Sequence, residues 1–134
     1  MKAFRELIEN GVATGELTGL DDVLADDVSF SSPVAFKPYE GRPIVAAILR
    51  GVSRVFTEFT YVWSAEEENR SALMFECKVG DVSVQGCDFI TTNDAGQISN
   101  FVVMVRPLSA ANAVAEAMAT QFPQIQAEAI EAMK

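Results

Sequence analysis

Histidine occurs nowhere in the 134 residues. That absence removes Ser-His-Asp and Cys-His catalysis in their usual forms. It also removes His-ligated zinc and the facial iron triad. Acid–base work falls to Asp, Glu, Tyr, Lys or Cys, and neither a metal nor a cofactor is expected. Cysteine is scarce: Cys77 and Cys87 have no C-x-x-C spacing and no histidine to join, so both are expected as reduced strand residues. Positive charge is short as well, with 10 Lys and Arg against 19 Asp and Glu and a net charge of −9. With no basic cluster, a phosphate backbone is repelled and nucleic acid is not an expected partner. The acid excess serves solubility. No run of 18 apolar residues is present, so no membrane span is expected. The opening "MKAFRELIENG" sets charges among its apolar positions and is not a secretory h-region, which makes the cytoplasm the expected location.

What is present is ordinary globular composition, 49% apolar and 22% charged, at a length suited to one domain over 1–134. Phe4, Leu7, Ile8 and Gly11 have helical spacing and predict a first helix over 2–11. Gly15 and Gly19 break the chain. A second helix over 18–25 carries Leu20, Val23 and Leu24, with Thr18 as its N-cap. "VSFSS" alternates, placing Val28, Phe30 and Ser32 on one face until Pro33 ends the strand. "AFKPYEG" reads as the return of a short hairpin. Residues 43–57 form the clearest amphipathic helix, with Pro43 in its first turn. Four strands follow, in "FTYVWSAEEENR", "SALMFECKV", "VSVQGCDFITT" and "ISNFVVMVRP", joined by turns at Gly80-Asp81 and "NDAGQ". A last helix is expected after Pro107, capped by Ser109 and kinked or restarted at Pro123. The order α-α-β-β-α-β-β-β-β-α predicts an α+β domain, with helices on one face of a curved antiparallel sheet.

Two of the strands are apolar on both faces. In strand 98–106, Ser99, Phe101, Val103 and Val105 share one face, while Ile98, Val102 and Met104 share the other with Asn100 and Arg106. In strand 83–91, Val84, Gly86, Asp88 and Ile90 oppose Cys87 and Phe89. A sheet with one solvated face should alternate apolar and polar residues. One face therefore meets the helices or a cavity. The other meets either a second copy of the chain, giving a homodimer centred on Val102 and Met104, or the C-terminal helix.

The element order, the passage "LADDVSFSSP", the entry "YEGRPIVAAILRGV" into the third helix and the hairpin "DFITTNDAGQI" together resemble the nuclear transport factor 2-like superfamily, and within it the SnoaL-like group. The resemblance implies a cone: a strongly bent, mainly antiparallel sheet wrapped around N-terminal helices, with a C-terminal helix and a deep, mostly apolar pocket for a small hydrophobic molecule. Members of the superfamily include ketosteroid isomerases, polyketide cyclases, dehydratases, epoxide hydrolases and carriers without catalysis, so the fold alone does not assign an activity. Against the isomerase pattern, the general-base aspartate falls on Ser32, the hydrogen-bonding tyrosine on Ile8 and the protonated oxyanion-hole aspartate on Asp88. Dehydratases of the family use histidine, which is missing here. An Asp-Arg-Asp relay of the epoxide-hydrolase kind would have to be built from Asp88 with Arg106 or Arg54, and no second aspartate offers itself.

Asp88 is thus the candidate catalytic group. By strand parity it faces the pocket, where desolvation favours a neutral carboxylic acid that donates to a ligand carbonyl. Otherwise it is a structural carboxylate bonded to a neighbouring Tyr, Trp or backbone group. Ser32 either touches a ligand or is a plain hairpin residue. Tyr39, Tyr61 and Trp63 carry polar tips on apolar bodies and belong to the pocket lining, the core or the rim. The expected ligand-binding set is Ser32, Tyr39, Leu49, Val52, Phe56, Trp63, Val84, Phe101 and Val103, an apolar wall with few polar fixtures. The function expected is binding of a small hydrophobic molecule. The alternatives are an isomerase or cyclase acting on a ketone by proton transfer, and a dimerisation or interaction module without catalysis.

Overall fold

The computed structural model describes residues 1–134. Helix α1 spans Lys2–Thr14 and buries Phe4, Ile8 and Gly11, one face at helical spacing. It ends at Gly15, whose φ of 74° suits a residue without a Cβ. Helix α2 is a single turn, Leu20–Val23. The expected helix over 18–25 and its Thr18 cap are not found. Gly19 stands at the N-cap with φ 86°, and strand β1 begins at Leu24. Strand β1 (Leu24–Ser31) pairs with the two-residue β2 (Tyr39–Glu40). Helix α3 (Arg42–Val55) has Pro43 in its first turn and buries Val45, Ile48 and Leu49. Strands β3 (Thr57–Glu67), β4 (Arg70–Val79), β5 (Val82–Thr92) and β6 (Ile98–Arg106) form the antiparallel meander. Helix α4 (Leu108–Ala132) runs through Pro123 without interruption, and Ser109 makes no capping bond.

The six strands form one curved, mixed sheet in the order β2-β1-β6-β5-β4-β3, with β1 parallel to β6 and every other pair antiparallel. The α+β class and the cone are as the sequence predicts. Helices α1 and α3 fill the concave side. Helix α4 packs along α3 and lies on the same concave side, with Val114 and Met118 facing the cavity. It therefore does not cover the outer face of the meander. No helix is long and apolar enough to cross a membrane.

Of the sheet's four register shifts, three lie in the meander and decide which of its residues face inwards. Between Thr57 and Thr60 the β3–β4 register shifts, and Glu58 takes φ 50°. Between Tyr61 and Trp63 it shifts again, leaving Val62 without a partner. Tyr61 and Trp63 would share a face in a regular strand. The extra residue turns Trp63 outward beside Met74 and leaves Tyr61 inward beside Phe75. A third shift, at Ser99, places Ile98 in the core at 1% exposure rather than on the outer face with Val102 and Met104.

Candidate functional site

The concave face encloses a cavity of ≈ 80 Å³, and 19 of its 23 lining residues are hydrophobic. Helix α1 contributes Ile8 and Val12. Helix α3 contributes Ile48, Leu49, Val52 and Ser53, and Phe56 follows it. The strands contribute Phe30, Phe59, Tyr61, Phe75, Asp88, Phe101, Val103 and Val105. Val34, itself exposed, marks the mouth, together with the partly buried Ser32, Pro33, Tyr39 and Phe122. The Phe122 ring lies 6.0 Å from that of Tyr39, which closes α4 against the β1–β2 hairpin. The chamber is smaller than the roughly 150 Å³ cavity that holds benzene in a dry protein core. Even a ligand of one benzene-sized ring must extend into this mouth.

Asp88 is the one carboxyl in the lining and is only 5% exposed. It sits between Gly86 and Ile90 on the inward face of β5, opposite Leu73 and Val103 on the flanking strands. The Tyr61 hydroxyl donates to its Oδ2 at 2.7 Å. Its Oδ1 has no hydrogen-bond partner in the chain. Burial pushes the carboxyl from 3.8 up to about 7, and the Tyr61 hydrogen bond pulls the other way by favouring the ionised form. Burial, then the neighbouring Asp88, push the Tyr61 phenol well above its usual range, so it remains a donor. The same two causes push the Cys77 thiol to about 12, and both cysteines are free.

Tyr61 is positioned by Phe59, whose ring meets it edge-on at 5.0 Å, and by Glu9 of α1, whose carboxylate accepts the Tyr61 backbone N–H at 3.0 Å. Gly86 lies directly opposite Phe75, and the Phe75 ring covers the space a Cβ would take. That close approach fits a glycine within a strand. It lets Phe75 stack on Phe59 at 4.9 Å beside Asp88.

Of the residues expected at the site, Asp88, Ser32, Tyr39, Leu49, Val52, Phe56, Phe101 and Val103 line the cavity. Trp63 does not; the bulge at Val62 leaves it 54% exposed on the outer face. Val84 is buried in the core beside Cys77 and lies outside the lining. Ser32 points its hydroxyl into its own turn, accepting the N–H groups of Val34 and Ala35 at 3.2 and 3.1 Å. No epoxide-hydrolase relay forms. Arg54 reaches Gln121 and Glu128, and Arg106 reaches Gln85. Tyr61 stands at the site but outside the ligand-binding set expected from the sequence. Its polar tip was the available signal, and a strand pattern read without the bulges gives it no preference over Trp63.

A family model for the SnoaL-like domain matches residues 4–101. The chain belongs to the SnoaL-like family. The match ends before α4, which supplies one wall of the cavity. Two solved structures share much of the SnoaL-like chain. A steroid delta-isomerase from Pseudomonas aeruginosa is 36% identical with a TM-score of 0.81, covering 89% of this chain and 88% of that one. An uncharacterized protein with a cystatin-like fold from Silicibacter pomeroyi is 35% identical with a TM-score of 0.80, covering 92% of each. An NTF2-like protein from Mesorhizobium loti, at 13% identity and a TM-score of 0.68 over 79% of this chain and 89% of that one, shares the fold. No curated protein matches.

Proposed function

We propose that this SnoaL-like chain binds a small hydrophobic molecule in its cavity, with the polar end of the ligand at Asp88. The observation that carries the reading is the buried Asp88, with one oxygen held by Tyr61 and the other free, in an otherwise apolar chamber. A buried carboxyl group costs stability unless its hydrogen bonds are met, and a ligand meets the bond the chain leaves open. Thermal shift against small apolar compounds tests this. Saturation at about 100 times Kd adds roughly 2.7 kcal/mol of stability. The shift should disappear in Val103→Phe, which fills the chamber. An unchanged shift in that variant overturns the site.

A second reading, an isomerase or cyclase acting on a ketone, draws on the likeness to the steroid delta-isomerase. Asp88 would then be the acid that holds the carbonyl. Removing a proton beside that carbonyl needs a base as well, and the resemblance puts Ser32 there, its hydroxyl already engaged in a turn. A positioned base contributes about 10² to 10⁴ in rate. One oxyanion donor, lost at Ile8, contributes about 10² to 10³. Conjugation of a 5-ene-3-ketosteroid, followed by ultraviolet absorbance, is therefore expected to show no efficient turnover. A rate of about 10 per second, ordinary for an enzyme, decides for the second reading.

We also propose a homodimer through the outer face of the meander. Two apolar rows cross it from strand to strand, Trp63-Met74-Cys87-Met104 and Ala65-Ala72-Phe89-Val102. Trp63, Phe89 and Met104 are 54%, 41% and 59% exposed, and neighbouring apolar side chains of this kind favour a partner surface. Gel filtration with light scattering at micromolar concentration is the measurement, and a clean monomer refutes it.

A further inference from the structure

The cavity is built for one sign of charge. None of its 23 lining residues is Lys or Arg, and the two ionisable side chains beside each other, Asp88 and Tyr61, both lose a proton to become anions. Of the nearby cations, Arg50 and Arg54 pair with Glu128 and Arg42 with Asp26, whereas Arg5 reaches only the Ser64 hydroxyl at 3.5 Å. Arg5 Nε and Arg54 Nη2 are buried without a partner, and neither residue lines the cavity. A carboxylate ligand would enter with no counter-charge, which is costly at low dielectric.

Proton accounting separates the remaining classes. Tyr61 has a single proton and gives it to Asp88 Oδ2. In this arrangement it has none left for a ligand. A ketone would meet only the acid proton of Asp88. An ammonium would instead donate to the free Oδ1. The rings of Phe59, Tyr61 and Phe75, with centroids 4.9 to 6.3 Å apart, line the same cavity. Aromatic faces attract a cation and offer a carbonyl no comparable gain. The net charge of −9 draws cations towards the molecule.

We infer that the cavity takes a small hydrophobic amine, bound as its ammonium by the Asp88 carboxylate and flanked by the rings of Phe59, Tyr61 and Phe75. The inference rests on the hydrophobic-ligand reading above and specifies the charge of the ligand's polar end. Amine binding needs Asp88 ionised, so affinity rises with pH up to about 7 and then levels. The groups packed around Asp88 are Tyr61 of β3, Cys77 of β4 and Cys87 of β5, with Arg5 and Glu9 of α1 beside Tyr61. Burial pushes the Tyr61 and Cys77 protons upward, away from that range. Helices α3 and α4 put no titratable group into the lining.

Calorimetric titration of the full chain with benzylamine, benzyl alcohol, acetophenone and benzoate at pH 5.5 and 8 tests this. An alkylammonium stays charged across that span. Benzylamine should bind about 30-fold more tightly at pH 8 than at pH 5.5, as expected for a carboxylate titrating near 7. Asp88→Asn should abolish this binding. Tyr61→Phe, which leaves the carboxylate in place but removes the bond that favours it, should move the pH dependence upward. If acetophenone or benzyl alcohol binds as tightly as benzylamine, or benzylamine binds equally at both pH values, the amine inference fails and the hydrophobic-cavity reading stands. If none of the four binds, both fail.

Discussion

Replacing Asp88 by Asn should change how stability depends on pH. The folded chain holds the Asp88 proton up to about pH 7, whereas a free aspartate side chain titrates at 3.8. Between those values the native state binds the proton more tightly than the unfolded state. The resulting stability is fully present below about pH 3.8 and is lost as pH rises through 7. The whole span is about three pH units, or roughly 4 kcal/mol at about 1.4 kcal/mol per unit. From pH 5 to pH 8 the native chain should lose about 2.7 kcal/mol through this one group. Asn keeps the shape and still accepts the Tyr61 hydroxyl, but it has no proton to lose. Any fixed cost of its amide is the same at every pH, and general repulsion from the acidic surface is nearly the same in both chains. Urea unfolding at pH 5, 6, 7 and 8 gives the difference between native and Asp88→Asn, which should move in favour of the variant by about 2.7 kcal/mol and flatten above pH 7. Parallel stability curves would refute a buried, proton-holding Asp88.

Gly86→Ala places a methyl against the Phe75 ring and should cost about 1–3 kcal/mol in chemical denaturation, with part recovered by adding Phe75→Leu. Glu128→Gln weakens the hold on Arg50 and Arg54 that ties α4 to α3, and it should lower the thermal midpoint while leaving the far-ultraviolet circular dichroism of the sheet unchanged. Met104→Glu on the outer face should yield a monomer in light scattering if the two apolar rows form the dimer contact, and an unchanged mass would remove Met104 from that contact.

The sequence made the fold legible because its signals are long and periodic. The helix over 42–55 shows its buried stripe and its Pro43, and the meander shows four strands with turn residues at Gly80 and Gly96. The short elements were not legible. At the second helix, Gly19 in a left-handed conformation moved the start, and the strand took Leu24 because that side chain is fully buried against the sheet. The sequence predicts a kink or restart at Pro123, yet α4 runs through it as one helix, with Ile125 seated over Gly51 of α3 and Met118 in the cavity wall. Packing of that apolar face outweighs the hydrogen bond the proline removes.

At the site, parity along a strand is a guide where the ladder is regular. The β4–β5 ladder runs without a shift from Arg70↔Thr91 to Val79↔Val82, so counting by twos along β5 placed Asp88 correctly. The β3–β4 ladder shifts twice within its length, and the second shift carries Trp63 to the outer face, away from the lining in which it is expected. Nothing in "FTYVWSAEE" marks Val62 as the unpaired residue. That bulge also sets the chemistry. It puts the larger Trp63 on the outer face while Tyr61 stays inward against Asp88. The resemblance to the isomerases places one functional group, Asp88, and leaves Ser32 and Ile8 where acid–base groups would stand. The structure adds the hydroxyl of Tyr61, whose proton is already donated to Asp88. Ser53 donates to the Arg50 carbonyl, and Ser32 and Tyr39 stand at the mouth. Beside Asp88 the polar inventory is therefore one carboxyl with one supporting donor. That pair suits holding a ligand's polar end, whereas proton transfer beside a carbonyl requires a base and an oxyanion donor acting at once.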